Sequence, residues 1–312
     1  MTKPKVIAIT GCTASGKSAL ALELAQRLSG EIVCMDSMQV YRGMDIGTAK
    51  PTREEQSRAP HHMLDVAEPT QAFGVAEYVA GAERAFQDIW SRGRLPILTG
   101  GTGLYLKSLL YGMALGTEKS DPAIRAEYEA MAARPGGKRA LHQLLQQVDG
   151  ESAARLHEND LRRVIRALEV YRLTGKPIGR QETRRPERPY VIMPFALRVS
   201  RDALQERIQG RVRRMLAEGL LEEVRALLAG GVPLQAQSMQ AIGYKELAPV
   251  CLGQESLSRA TERLILNTRH YAKRQETWFK GEKALRWLEA GESALGAAEA
   301  LSRVFLQREP EA

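Results

Sequence analysis

The chain has 312 residues, of which 44% are hydrophobic and 26% charged, and 45 Lys and Arg against 37 Asp and Glu give a formal net charge of +8. This length is sufficient for one large domain or two modest ones with a buried core. No apolar run is long enough to span a membrane, and a glycine-rich pattern occupies the place where a secretion signal would carry its apolar stretch. We therefore expect neither a membrane-spanning nor a secreted protein.

The cysteines indicate the compartment. Cys12, Cys34 and Cys251 are too few and too scattered for a disulfide framework or a zinc site, and the five histidines add no metal-ligand spacing. A reducing cytoplasm is the expected location.

The positive charge is unevenly distributed. Residues 1–100 contain 11 basic and 11 acidic side chains, so the whole excess lies in residues 101–312. Residues 155–188 alone contain ten Lys and Arg against five Asp and Glu. This excess indicates either a polyanionic partner or merely solvated helix faces, and charge alone leaves both alternatives open.

The first third of the chain alternates short apolar runs with helical periodicity. Val6–Thr10, Glu31–Met35 and Leu95–Thr99 predict strands, whereas Ala19–Leu28 and Leu104–Leu110 predict helices. Strands separated by helices indicate right-handed crossovers and a parallel α/β sheet. Because ligands bind at the carboxyl edge of such sheets, polar residues that follow these strands should converge there.

The octapeptide from Gly11 to Ser18 fits the phosphate-binding pattern G-x-x-x-x-G-K-[ST] between a predicted strand and helix. Backbone amides, the helix amino end and Lys17 attract phosphate oxygens in this pattern, and Ser18 can hold Mg2+. The expected phosphate ligands are Gly11, Thr13, Ala14, Ser15, Gly16, Lys17 and Ser18. The pattern leaves open whether the phosphates belong to ATP or to another diphosphate.

From about Asp121 the chain becomes rich in alanine, arginine and glutamine with helical periodicity, which Pro135 and Gly175 interrupt. We predict a helical insertion domain over residues 121–190 and a P-loop NTPase-like core, a parallel sheet flanked by helices, over residues 1–120 and 191–312. In the core the pattern predicts a strand over 190–199 and helices over 201–229, 257–280 and 292–306.

Two polar groups follow predicted strands. Asp36 could bind a magnesium ion through water or abstract a proton from an acceptor, but an Asp after a strand is also a common helix N-cap. Thr102 lies in a glycine-rich segment that permits close approach to a ligand, or that forms only a tight turn.

Six motifs together resemble one known family. They are GCTASGKS, DSMQVYRGMDIGTAKP, GGTGLYLKSLL, RALEVYRLTGKP, AIGYKE and TRHYAKRQETWF, in that order over residues 11–279. Their joint occurrence resembles the bacterial tRNA dimethylallyltransferases, the tRNA isopentenyltransferase family.

The resemblance implies an activity. Members of the family transfer a dimethylallyl group from dimethylallyl diphosphate to the exocyclic N6 amine of the adenosine 3′-adjacent to the anticodon, in tRNAs that read codons beginning with U, and release diphosphate. It also implies a Mg2+ cofactor and a phosphate loop that holds the diphosphate of the prenyl donor. The expected partners are therefore tRNA, bound at its anticodon stem-loop, and dimethylallyl diphosphate. A monomer is the expected oligomeric state by default.

The resemblance also implies site residues. Asp36 matches the proposed general base, Thr102 the hydroxyl that helps to hold the target adenine, and Arg125 a residue in a loop near the flipped base. The implied tRNA contacts are Asp36, Ser37, Met38, Gln39, Thr102, Arg125, Arg162, Arg163, Val164, Ile165, Arg166, Gln240, Ala241, Ile242, Gly243, Tyr244 and Lys245. Arg166 and Arg211 are our candidates for the diphosphate, although Arg207, Arg211 and Arg214 share a helix face that could simply be solvated.

Three other functions remain as alternatives. A small-molecule kinase would explain the phosphate loop and Asp36 but not a basic helical insertion. A prenyltransferase of free adenine nucleotides would not explain the insertion or the KRQ motif at Lys273 to Gln275. A non-enzymatic RNA-binding protein would not need the intact Lys17 and Ser18.

Overall fold

The computed structural model describes residues 3–112, 121–178 and 187–308. The chain divides into two compact units, one formed by residues 1–110 and 188–312 and the other by residues 111–187. The first unit contains the sheet, and the second is helical and overlaps the insertion expected over 121–190.

A parallel sheet forms the centre of the first unit. Its strands are β1 (Lys5–Gly11), β2 (Gly30–Cys34), β3 (His61–His62), β4 (Leu95–Gly100), β5 (Val191–Arg198) and β6 (Arg286–Glu289). They are ordered β3-β2-β4-β1-β5-β6, and every neighbouring pair is parallel. The predicted P-loop NTPase-like core with a parallel sheet is confirmed.

Helices flank this sheet and build the second unit. In chain order they are α1 (Lys17–Arg27), α2 (Arg53–Arg58), α3 (Val75–Ser91), α4 (Gly103–Tyr111), α5 (Pro122–Ala132), α6 (Gly137–Val148), α7 (Gly150–Arg155), α8 (Leu161–Thr174), α9 (Arg201–Ala217), α10 (Leu220–Ala229), α11 (Tyr244–Cys251), α12 (Leu257–Lys280) and α13 (Glu292–Gln307). Helices α5 to α8 belong to the second unit. Of the helices in the described ranges, none is both long and apolar enough to cross a bilayer.

The strands are apolar because both faces of the sheet are covered. Ile7 of β1 belongs to one buried cluster with Leu24 of α1 and Ala298 of α13. Val6 and Ala8 are equally buried, and alternation along a strand turns them to the opposite face. Continuous burial of this kind is typical of parallel strands.

Three strands end at the same edge of the sheet. Thr10 of β1 is in register with Gly100 of β4, and Cys34 of β2 is in register with Thr99. A Cβ atom at Gly100 would lie only 1.9 Å from the carbonyl oxygen of Met35, so this position has no room for a side chain. The loops after β1, β2 and β4 therefore leave the sheet side by side.

The prediction of a single helix over residues 201–229 is wrong. The chain forms two helices here, α9 and α10, and Gly219 between them has a left-handed backbone with φ 101°. Glycine adopts this conformation without steric penalty, so it ends the first helix despite continuous helical periodicity.

Of the elements named above, five are absent from the sequence-based prediction: α2, α3, α11, β3 and β6. Helix α3 buries Tyr78, Val79, Ala82, Phe86 and Ile89 at helical spacing, so its signal is present in the sequence. The strands β3 and β6 have two and four residues, too few to show a period.

The second unit has a core of its own. Tyr128 of α5, Leu141 and Leu145 of α6, and Leu168 of α8 form one buried cluster. The interruption predicted at residues 135–137 is confirmed, because Gly136 adopts φ 73° between α5 and α6. The unit can therefore bury its own apolar helix faces.

Candidate active site at the carboxyl edge of the sheet

The phosphate loop connects β1 to α1. Its backbone adopts left-handed conformations at Ala14 (φ 62°) and Gly16 (φ 91°), which turn the chain into α1. A Cβ atom at Gly11 would lie 2.9 Å from Ser15 Oγ. In the part of the chain that the structure describes, the buried Ser15 hydroxyl has no hydrogen-bond partner. A buried hydroxyl left in this state is suited to bind a ligand oxygen.

Lys17 places a cation in this loop. Its Nζ donates a hydrogen bond to the carbonyl oxygen of Cys12 at 3.2 Å. Burial and the nearby Arg211 guanidinium lower the pKa of Lys17 to about 8, although Asp36 opposes this shift. A bound anion would restore the full charge of Lys17, so the loop favours a negatively charged ligand.

Two arginines of α9 face the same loop. Arg207 Nη1 donates a hydrogen bond to the carbonyl oxygen of Ser15 at 3.3 Å. Arg211 lines a small cavity together with Lys17 and Asp36, and burial lowers the pKa of its guanidinium. The structure thus places Arg211 beside the phosphate loop, where a diphosphate would need it.

Arg166, the other candidate for the diphosphate, lies on α8 in the helical unit. Its Nη1 pairs with Glu169 Oε2 at 2.7 Å, and Glu169 is fully buried and also pairs with Arg125 at 2.9 Å. The expectation that Arg125 lies in a loop is wrong, because Asp121 caps a helix that begins at Pro122. The assignment of Arg166 to the diphosphate stays a prediction.

Asp36 follows β2 and lines the cavity beside the phosphate loop. Its Oδ1 accepts hydrogen bonds from the backbone N–H groups of Met38 at 2.9 Å and Gln39 at 3.4 Å. Asp36 therefore caps a turn, not a helix, and it does so with one of its two oxygens. The capping role and a chemical role are compatible in one carboxylate.

Thr102 joins the loops that follow β2 and β4. Its Oγ1 accepts a hydrogen bond from the backbone N–H of Ser37 at 3.1 Å, and its own N–H donates to the carbonyl oxygen of Met35 at 3.3 Å. Asp36 and Thr102, which were expected to converge at this edge, are therefore neighbours.

Sequence reasoning missed Gln275 of α12 as a residue of the site. Its Oε1 accepts a hydrogen bond from the backbone N–H of Thr13 at 2.7 Å, and its Nε2 donates to the carbonyl oxygen of Gly101 at 2.9 Å. Thr13 therefore has its hydroxyl, and not its amide, to offer to a ligand. The KRQ motif was the available signal, but nothing local indicates contacts this distant along the chain.

Two spaces border these groups. A cavity of about 60 Å³ lies among Asp36, Thr99 and Gln275, and an open cleft of about 1230 Å³ runs along the phosphate loop and α9. Lys17 and Arg211 line both, so the cavity and the cleft are adjacent. One end of an elongated anion bound in the cleft would therefore lie beside Asp36.

Comparison with known proteins agrees with this geometry. The sequence profile of a family described as IPP transferase matches residues 39–282. The chain belongs to the IPP transferase family.

Individual proteins resemble this IPP transferase family member over nearly its whole length. The tRNA dimethylallyltransferase of Geobacter sulfurreducens is 49% identical over 290 residues, which cover 92% of this chain and 93% of the relative. The tRNA isopentenylpyrophosphate transferase structure from Bacillus halodurans has 41% identity and a TM-score of 0.71, covering 97% of this chain and 96% of that one. A eukaryotic dimethylallyltransferase acting on tRNA has 29% identity and a TM-score of 0.80, covering 98% and 80%.

The donor set of this IPP transferase family member fits a magnesium ion. Ser18 at the start of α1 and Asp36 both line the small cavity, and Mg2+ prefers oxygen ligands while keeping waters and substrate phosphates in its coordination shell. No cluster of three or more His, Cys, Asp or Glu side chains occurs within the described ranges. The residues present therefore fit a magnesium ion, and Ser18 is the residue that would hold it.

The strip from Arg162 to Arg166, expected to contact tRNA, is only partly accessible. Arg162 and Arg163 are exposed on α8, whereas Val164 and Ile165 are buried in the core of the helical unit. The side chains of Val164 and Ile165 therefore pack the unit. The arginines are the members of the strip that can reach a partner.

The strip from Gln240 to Lys245 shows the same division. Gln240 and Lys245 are exposed, whereas the ring of Tyr244 is buried and its hydroxyl donates to Glu223 Oε1 at 2.6 Å. A Cβ atom at Gly47 would lie 2.5 Å from this ring. Tyr244 therefore supports the loop around Gly47.

We predict that Lys17→Arg removes a pH dependence of anion binding. Lys17, with a pKa of about 8, is charged below that pH and loses its proton as the pH rises through it. As the pH rises, the affinity of the unmodified protein for inorganic diphosphate should therefore fall by up to roughly tenfold per pH unit relative to the affinity of Lys17→Arg, because the arginine guanidinium stays charged. Calorimetric titrations of both proteins between about pH 7 and pH 10 measure the ratio of the two affinities. Parallel curves would contradict the role of Lys17.

Proposed function

We propose that the protein transfers a dimethylallyl group from dimethylallyl diphosphate to the exocyclic N6 amine of the adenosine 3′-adjacent to the anticodon, in tRNAs that read codons beginning with U. The observation that carries this proposal is that the phosphate-binding loop and Asp36 line one cavity, while Thr102 accepts a hydrogen bond from the residue that follows Asp36. Membership of the IPP transferase family and relatives named tRNA dimethylallyltransferase support it.

The phosphate loop holds the diphosphate of the prenyl donor. In the reaction the bond between donor carbon C1 and the diphosphate oxygen breaks, and negative charge develops on the leaving group. Lys17 and Arg211 lie where they stabilise this charge, and preorganised charges of this kind are commonly the largest contribution to catalysis. Ser18 is the residue that would hold Mg2+, which supplies further positive charge beside the diphosphate.

Asp36 takes the proton from the acceptor. An adenine amine is a poor nucleophile because its lone pair is delocalised into the ring. As the carbon–nitrogen bond forms, the amine proton moves to the Asp36 carboxylate, a step that contributes about 10²–10⁴-fold. Met38 and Gln39 donate to Oδ1, so Oδ2 is the oxygen that receives the proton.

The helical unit binds the tRNA. A target base stacked in its loop must be extruded, which takes about a few kcal/mol, and contacts to neighbouring nucleotides must offset that energy. Arg162 and Arg163 are exposed on α8, and Arg163 pairs with Asp160 only at the surface. Exposed ion pairs are weak, so a phosphate can displace Asp160.

Purified protein, Mg2+ and radiolabelled dimethylallyl diphosphate, incubated with either unmodified tRNA or AMP, test the proposed function. We expect label in tRNA alone, in tRNAs that read codons beginning with U. Label in AMP would instead assign a free-nucleotide prenyltransferase. No label in either acceptor would overturn the proposal and favour a kinase with ATP as donor.

We predict that Lys17→Ala slows a single turnover at least as much as Asp36→Ala. The loss for Asp36→Ala should be about 10²–10⁴-fold, because it removes proton transfer but leaves the stabilisation of the leaving group. Rapid-quench measurements with enzyme in excess give both rates, and Lys107→Ala, an exposed lysine of α4 outside both spaces, is the matched control. Full activity of Lys17→Ala would rule out the diphosphate assignment.

We predict that replacing Arg162 and Arg163 by alanine reduces the salt dependence of tRNA binding. The slope of log affinity against log salt should become shallower by about two, one for each lost phosphate contact. Filter binding over a salt series measures it. Arg27 and Arg303, which pair with Glu299 in the sheet-containing unit, provide the control double variant. An unchanged slope in the α8 variant would contradict this role of α8.

A further inference from the structure

Gln275 connects the two halves of the site through one side chain. It is 6% exposed on α12, and both ends of its amide are engaged, with Thr13 N–H at 2.7 Å and with the carbonyl oxygen of Gly101 at 2.9 Å. Thr13 belongs to the phosphate loop, and Gly101 precedes Thr102. The amide thus fits the gap between the donor loop and the loop that carries Thr102.

The connection continues from Gly101 to Asp36. The next residue, Thr102, accepts a hydrogen bond from the N–H of Ser37, which directly follows Asp36. A continuous path of backbone and hydrogen bonds therefore runs from the phosphate loop through Gln275 to the carboxylate. Gln275 is the single side chain of α12 in this path.

Close packing leaves the path little freedom. A Cβ atom at Gly101 would lie 2.2 Å from Gln275 Nε2, and one at Gly103 would lie 2.4 Å from the ring of Trp278, one turn further along α12. Side chains of α12 thus contact the backbone of the loop after β4 on both sides of Thr102. The segment from Gly101 to Gly103 therefore has no room to move closer to α12.

We propose that Gln275 is a positioning residue that sets the distance between the bound prenyl donor and the acceptor base. This inference rests on the proposed function. Two reactants held in a near-attack geometry react far faster than the same reactants bound with a small offset, and a displacement of about 1 Å can slow a reaction about 10²-fold. Each loop keeps its own ligand contacts when Gln275 is lost, so binding of either substrate alone is preserved.

This role affects kcat more than KM. An interaction that aligns two bound substrates contributes in the transition state, whereas one that supports a single loop changes the KM of the substrate on that loop. Gln275→Leu removes both hydrogen bonds at similar volume. Gln275→Glu keeps an oxygen for the Thr13 N–H but turns a carboxylate oxygen towards the carbonyl of Gly101, which breaks the link to the acceptor side.

The matched control is Thr268→Val on the same helix. Thr268 is 9% exposed, and its hydroxyl donates only within α12, to the carbonyl oxygen of Leu264 at 2.7 Å. This change removes a buried hydrogen bond without touching either loop. Thermal unfolding of all variants reports whether the fold is retained.

We expect both Gln275 variants to lose kcat by roughly 10²-fold with KM values for donor and tRNA within about threefold of the unmodified protein, and Thr268→Val to keep both parameters. A higher donor KM with unchanged kcat would overturn the proposal and make Gln275 a support of the phosphate loop alone. Full activity of Gln275→Glu would do the same.

A binding measurement separates failure of this inference from failure of the proposed function. Hydrogen exchange is followed at residues 11–18 and 99–105 with and without inorganic diphosphate and Mg2+. We expect diphosphate to slow exchange in both segments of the unmodified protein and only in 11–18 of Gln275→Leu. Equal protection of 99–105 in the variant would overturn the positioning role. Absence of protection at 11–18 in the unmodified protein would contradict the diphosphate site itself.

Discussion

Parallel pairing of β1, β2 and β4 is the constraint on which the site depends. Adjacent strands lie about 4.8 Å apart, and parallel register sends their carboxyl ends to one edge. Thr10 opposite Gly100 and Cys34 opposite Thr99 fix where the three loops begin. The phosphate loop, Asp36 and Thr102 therefore lie within reach of one another because of strand register, before any side chain contributes.

Helix α12 adds the second constraint. The sheet fixes where the loops begin, but it does not fix how far their tips are apart. Gln275 bridges two of the tips by hydrogen bonds, and Trp278 packs on the glycine-rich loop, where Gly103 has no side chain to oppose it. A late segment of the chain thus sets the width of a site whose chemical groups come mainly from its first third.

Electrostatics then makes the site selective for anions. Burial lowers the pKa values of Lys17 and Arg211, because removal from water disfavours the charged forms of both side chains. A bound anion would relieve that unfavourable energy. The Asp36 carboxylate opposes this lowering at both cations, so Asp36, Lys17 and Arg211 form one electrostatic system.

The sequence by itself determined the chemistry: the phosphate loop, four of the strands, the acid after β2, and the order of six motifs. These features are local, because a loop pattern or an apolar run is complete within a few residues. Only the tertiary structure decided that Gln275 spans two loops, that Val164 and Ile165 face a core, that Arg125 lies within α5, and that Gly219 divides α9 from α10. Contacts between residues far apart in the chain and the rotation of each helix about its axis depend on packing, which periodicity does not encode.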